Sequence, residues 1–161
     1  MLKKRVEKAL NTQANAELWS AHLYLSMSLQ FSSEGLTGFA QWMRSQYQEE
    51  VQHAFKIMRF MVERGAKPTL SEIKDIPVDF GSPVEVFEFA LEHETKVTDN
   101  IDKLVDLIRE ENDKATEYAL QWFVTEQVEE ESTLVGIIEK LKRIGDGAGL
   151  YLLDKELAAR Q

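Results

Sequence analysis

The chain has 161 residues, with 28 Asp and Glu against 19 Lys and Arg, a formal charge of −9, and no cysteine. At 43% hydrophobic and 29% charged residues it reads as one globular domain with a real core, not a disordered or fibrous chain. The acid excess argues against phosphate-backbone binding and for attraction of cations; the lack of Cys excludes disulfides, thiolate metal sites, iron–sulfur clusters and a Cys nucleophile.

The start, Met-Leu-Lys-Lys-Arg-Val-Glu-Lys, reads as an amphipathic helix without the apolar stretch of a signal peptide. No run approaches the eighteen or more apolar residues of a membrane span, so a cytoplasmic protein is expected, with neither membrane nor nucleic acid as partner. Helical periodicity then runs from 4 to 33 and stops near Gly35. A second helix is expected over 38–65, with Gly65 as its C-terminal cap residue. All three prolines, Pro68, Pro77 and Pro83, fall in or just after the next stretch, 66–82, which has no helical pattern. Ser82-Pro83 opens a third helix, 83–112, with Ser as cap and Pro at the first helical position. A fourth covers 114–144 and is closed by Gly145-Asp146-Gly147-Ala148-Gly149. A short fifth helix, 149–159, carries Leu150, Leu153 and Leu157 on one side; lying outside the main pattern, it suggests a subunit contact, the alternative being a cap on the end of the fold.

Short connections make the first and second helices antiparallel, and likewise the third and fourth. The seventeen residues between the pairs can reach about 55 Å when extended, more than the roughly 40 Å length of a 27-residue helix. They can therefore run the length of a bundle and start helix three at the same end as helix two. The expected fold is all-α: an antiparallel four-helix bundle with one long crossover loop and a short C-terminal helix.

Steps of three and four trace the core-facing seam of each helix. Helix one reads Val6, Leu10, Gln13, Glu17, Ser20, Tyr24, Met27, Phe31, and helix two Phe39, Met43, Gln46, Glu50, His53, Ile57, Phe60. Helix three reads Val84, Phe87, Leu91, Glu94, Thr98, Ile101, Val105, Ile108, and helix four Leu120, Phe123, Gln127, Glu130, Leu134, Ile137, Leu141, Ile144. Every seam has apolar ends, a polar middle and a glutamate in that middle, and none carries Lys or Arg. Antiparallel packing brings Glu17, Glu50, Glu94 and Glu130 to one level, with His53 and Gln127 beside them. Four buried, unpaired carboxylates are untenable, because desolvation alone costs several kcal/mol per ion. They must be protonated, hydrated or neutralised, and two divalent cations cancel their charge. Oxygen donors with one imidazole suit Fe(II) or Mn(II). Glu50-x-x-His53 presents two ligands one turn apart, and Tyr24 lies seven residues after Glu17 on the same face.

These residues resemble the non-haem bacterial ferritins, over essentially the whole chain read as a single ferritin-like domain, 1–161. The motifs carrying the resemblance are Asn15-Ala16-Glu17 through Tyr24, Glu49-Glu50-Val51-Gln52-His53, His93-Glu94, and Trp122 through Glu131. It implies a ferroxidase that oxidises Fe(II) with dioxygen or peroxide and stores ferric oxyhydroxide inside a hollow homo-oligomeric shell of twenty-four subunits. One iron would be held by Glu17, Glu50 and His53, the other by Glu50, Glu94 and Glu130, with Gln127 and Tyr24 adjacent to this di-iron centre. Glu49, Glu126 and Glu129 match the family's third iron site; the alternative is that Glu126 and Glu129 lie on a solvated face. The symmetric di-iron pattern has a second Glu-x-x-His where this chain has Gln127-x-x-Glu130, which implies a weaker second iron held by oxygen. Bacterioferritins bind haem through a methionine at the position of Gln52, so no haem is expected.

Rival functions are a non-storage di-iron peroxidase or electron-transfer protein, against which the lack of Cys counts, and a structural helical bundle whose polar core only sets register. Trp19, Trp42 and Trp122 are expected to pack, and His22 and His93 to lie on the surface. Glu110, Glu111, Asp113 and Glu117 are expected on a solvated face, the alternative being the lining of an ion channel between subunits.

Overall fold

The computed structural model of the chain describes residues 1–159. Five helices follow in order: α1 Lys4–Ser33, α2 Thr37–Glu63, α3 Pro83–Glu110, α4 Lys114–Ile144 and α5 Ala148–Ala158. No helix among the described residues is long and apolar enough to cross a membrane. α2 stops two residues before Gly65, which takes φ +81°, and α3 stops short of Asn112, which turns left-handed at φ +54°. Both ends follow from helices closing on a left-handed residue.

Cross-contacts give the helix directions. The start of α1 meets the end of α3, where Arg5 pairs with Glu110 at 3.0 Å and Glu111 at 3.2 Å. Further along, Phe31 of α1 packs on Phe87 near the start of α3. The end of α2 meets the start of α4: Arg64 bridges both carboxylate oxygens of Asp113, at 3.1 and 3.2 Å. Asp113 in turn accepts from the N–H of Thr116 and caps α4, and although burial opposes it, the Arg64 guanidinium and Thr116 hold its carboxyl below the ordinary value. Glu117 pairs with Arg109 at 2.7 Å, so every acid of this corner is matched by a base or a cap.

The crossover lies along α1, strapped by side chains of that helix. Asn11 accepts from Thr69 N–H, Asn15 accepts from Ser71 N–H and donates to Thr69 C=O, and Trp19 Nε1 donates to Lys74 C=O. Ser26 donates to Pro77 C=O, and Gln30 both donates to Gly81 C=O and accepts from Phe80 N–H. Positions 11, 15, 19, 26 and 30 recur at helical intervals, so one face of α1 supplies the partners that an extended segment lacks by itself.

Two apolar cores fill the bundle. One holds Tyr24, Met27, Phe31, Phe39, Trp42, Phe87 and Leu134 and is closed by Leu153 and Leu157 of α5. The other holds Val6, Leu10, Ile57, Met61, Ile101, Leu120 and Phe123. Between them in the seam order of each helix lies a buried polar layer: Gln13, Glu17, Ser20, Gln46, Glu50, His53, Glu94, Gln127 and Glu130. All eight seam positions of α1 are buried. On α3 the expected row needs correction: Phe87, Glu94, Ile101 and Ile108 are buried, but Leu91, Thr98 and Val105 are half-buried while Ala90, Val97 and Leu104 are buried. Both rows repeat every seven residues, so packing selects between the three- and the four-residue step, and here the buried stripe leans off the rim that α3 shares with α4. At the end of α2 the half-buried Phe60 gives way to Met61 in the same manner.

Candidate metal centre

Each helix delivers one carboxylate to the polar layer, from Glu17 on α1, Glu50 on α2, Glu94 on α3 and Glu130 on α4, none more than 6% exposed. Ligand atoms of Glu17, Glu50 and His53 lie within 4.8 Å of one another. His53 Nδ1 stands 3.3 Å from Glu50 Oε2 and 3.7 Å from Glu17 Oε2. The ring is wedged against Trp122 and Phe123, each with its centroid 5.3 Å away. Lys56 caps Trp122 from outside, its ammonium 3.6 Å from the ring centroid.

Three of the four carboxylates are held by glutamine amides. Gln13 donates to Glu17 Oε1 at 2.5 Å, Gln46 to Glu130 Oε2 at 2.8 Å and Gln127 to Glu94 Oε2 at 3.1 Å. Glu94 is also gripped at Oε1 by the Tyr24 hydroxyl, at 2.5 Å. An amide orients a carboxylate but carries no charge to cancel it, so negative charge that forms in the layer is not offset by these partners. Glu17 Oε2, fully buried, accepts no hydrogen bond. A buried acceptor left over beside an imidazole and a second carboxylate is the donor set a divalent cation completes.

The electrostatics agree. Burial, then repulsion from Glu17 and Glu94, drives the Glu50 carboxyl well above its ordinary range. Burial also raises Glu94, to about 7, despite the opposing hydrogen bond from Tyr24. Tyr24 is pushed up by burial and by Glu94, Glu50 and Glu130, so it stays a protonated donor. For His53 burial works downward, but Glu17, Glu130 and Glu126 outweigh it and the imidazole titrates above its usual value. A layer whose acids resist ionisation and whose base holds its proton is short of positive charge.

The structure brings Glu17, Glu50 and His53 into one ligand group and holds Glu94 and Glu130 in the same layer against Tyr24, Gln127 and Gln46. Glu49 and Glu126 are half-buried and Glu129 is exposed. Glu126 makes itself felt at His53, whose charge it favours, whereas Glu129 points to solvent. His22 is exposed, but His93 is not the expected surface residue: burial lowers it to about 4, Ser20 Oγ shares a 2.7 Å hydrogen bond with its Nε2, and Trp19 lies 5.5 Å away. The straps on the crossover draw Trp19 over it, which periodicity alone does not reveal. The amide roles of Gln13 and Gln46 were also not apparent, although the four-residue step from Gln13 to Glu17 is a helical pairing interval.

Against known proteins, residues 7–144 match the family model described as a ferritin-like domain. The chain is 46% identical over 160 residues to a bacterial non-heme ferritin of Bacteroides fragilis (strain 638R), covering 99% of this chain and all of that one. It is 43% identical over 161 residues to a bacterial non-heme ferritin of Staphylococcus epidermidis, covering 99% and 97%. Among solved structures, an open pore ferritin from the hyperthermophilic archaeon Archaeoglobus fulgidus superposes with a TM-score of 0.97 at 47% identity over the whole of both chains. A closed form engineered from the A. fulgidus ferritin gives 0.98 at 48% identity, covering 100% and 99%.

Proposed function

Because the chain belongs to the ferritin-like family, we propose that it stores iron by oxidising Fe(II) within its own bundle and depositing the ferric product inside a shell of twenty-four copies. The observation that carries this is the convergence of Glu17, Glu50 and His53 within 4.8 Å in a layer with no buried Lys or Arg. Iron is the substrate here, not a resident cofactor, and no haem is part of the reading. Glu17, Glu50 and His53 would hold one ferrous ion, and Glu50, Glu94 and Glu130 the other, Glu50 lying between both sets. Glu49, Glu126 and Glu129 would form a third, more exposed site through which iron passes.

Two ferrous ions surrender one electron each, and the pair of electrons with two protons reduces dioxygen to hydrogen peroxide; peroxide in place of dioxygen is reduced to water. The carboxylates favour the ferric product, since each adds negative charge in a water-poor layer where such charge acts strongly. Hydrolysis of ferric ion releases protons, and Glu50 and Glu94, with raised affinity for protons when metal-free, are suited to accept them as the ions move on. Tyr24, a buried phenol on Glu94, stands ready as an electron donor beside the second ion. The same reading expects a cytoplasmic protein.

The test is anaerobic Fe(II) loading followed by dioxygen, monitored by ferric absorbance, with sizing of the assembly. The purified protein should oxidise iron well faster than buffer, retain it in a large particle, and lose the rapid phase in Glu50→Ala. Oxidation no faster than buffer, or a monomer or dimer under all conditions, would overturn the proposal.

A further inference from the structure

A chain of side chains behind Glu94 lies outside any metal-ligand set considered above. Thr98, one turn along α3, donates its hydroxyl proton to Glu131 Oε1 of α4 at 2.5 Å. Gln127 Nε2 faces three oxygens at once: Glu94 C=O at 3.3 Å, Glu94 Oε2 at 3.1 Å and Thr98 Oγ1 at 3.1 Å. The carbonyl and the carboxylate are acceptors only. A hydroxyl can donate or accept, and the one proton of Thr98 has two acceptors in reach, Glu131 Oε1 and the Glu94 C=O at 3.1 Å, so toward Gln127 the hydroxyl accepts. All three neighbours are then acceptors, and the Gln127 amide can present only its NH2 to them. Turned over, its carbonyl would face a carboxylate oxygen at hydrogen-bond distance with no proton between them.

We propose that Thr98 is a positioning residue: its oxygen accepts from Gln127 Nε2 and so holds that amide against the Glu94 carboxylate, fixing the carboxylate in place for the second metal ion. This rests on the metal-site reading above. Glu131 and Thr98 are half-buried at the α3–α4 rim, where a cleft of about 360 Å³ is lined by Thr98, Asp102, Gln127 and Glu131. These bonds therefore lie between solvent and Glu94. A hydrogen bond from behind a metal ligand holds it in its binding geometry, and losing one typically weakens metal binding about tenfold to a hundredfold.

The experiment is anaerobic Co(II) titration of the full-length, metal-free protein, following the visible absorption of the bound ion, which distinguishes the histidine-containing site from the all-oxygen site. Thr98→Val keeps shape and removes the hydroxyl; it should weaken the all-oxygen site about tenfold and leave the Glu17–Glu50–His53 site within about twofold, the latter because it touches neither Thr98 nor Gln127. Thr98→Ser should restore wild-type binding. Thr98→Ala removes the same hydroxyl and serves if Thr98→Val does not fold. Unchanged Co(II) binding in both Thr98→Val and Thr98→Ala, while Glu94→Ala does weaken the second site, would overturn this proposal and leave the metal reading intact. Failure of the wild-type protein to bind Co(II) at either site would instead overturn the reading on which it rests.

Discussion

Asp154, close to the end of the chain, caps a helix that begins more than a hundred residues earlier: its Oδ1 accepts from the N–H of Phe39 at 2.9 Å. The first turn of α2 has no cap of its own, since Leu36 at the cap position offers no side-chain acceptor. The fit is close enough that a Cβ on Gly38 would fall 1.7 Å from the Asp154 carbonyl oxygen. α5 is thereby a cap on the bundle, with Leu153 and Leu157 in the core and Tyr151 and Leu152 left outside.

Asp154→Ala should cost about 1 kcal/mol, the usual value of a lost helix cap. Gly38→Ala should cost more, because backbone cannot yield as a side chain does; α5 must lift away. Hydrogen exchange at the α5 amides and the thermal midpoint read both effects. Unaltered α5 protection in Gly38→Ala would contradict the packing described.

Glu50 sits at the centre of the layer, so its replacement separates stability from activity. Glu50→Gln should raise the thermal midpoint of the metal-free protein by a few degrees, because a carboxylate ionised in the unfolded chain must take up a proton to be buried there and an amide need not. The same change should slow ferrous oxidation by roughly tenfold or more. A structural bundle with a polar core predicts the first result without the second.

The metal-free protein should lose stability as pH rises from 6.5 to 8, against the usual trend. Glu94, raised to about 7, and Glu50, raised well above its ordinary range, hold protons in the folded state that the unfolded chain has released, so the cost of each grows with pH up to its folded pKa. His53, raised above 6.5, contributes fully below that value and less as pH climbs through its folded pKa. His93, pushed down to about 4, has the opposite sign, but only between there and 6.5. A melting series in chelator should fall by several degrees over this window. Saturating Zn(II) should reverse the slope, because a bound cation takes the place of the protons. A flat chelator series would contradict the assigned shifts.

Asn15 ties the crossover down with two bonds, to Thr69 C=O and from Ser71 N–H, the second leaving a backbone donor to solvent if broken. Asn15→Ala should cost about 1–2 kcal/mol, and more visibly should speed proteolysis within residues 66–82. Cleavage there at the wild-type rate would show that the straps do not hold the loop.

The four seams, their polar middles, the single glutamate in each and the Glu50-x-x-His53 step were legible in the sequence, because helix periodicity is local and a charged residue on an apolar stripe is conspicuous wherever the helix packs. So was the direction of each helix, since loop length limits where a chain can return. The α3 register was less so: Leu91, Thr98 and Val105 lie within one helical step of Ala90, Val97 and Leu104, and only the neighbouring helices choose which row is inside. His93 looked like a surface residue because nothing near it in sequence shows that the crossover brings Trp19 over its ring.

The helices of the described residues, their order and the layer of unneutralised acid in the core can all be read from the order of residues alone. Those properties depend on residue spacing, which backbone geometry converts directly into a face. Which oxygen of Glu17, Glu94 and Glu130 is held, by Gln13, Gln46, Gln127 or Tyr24, and which end of the Gln127 amide faces Glu94, follow only from how the helices pack. A hydrogen bond is short and directional, its partners here stand up to 84 positions apart in the chain, and no local pattern records which donor packing will carry to which acceptor.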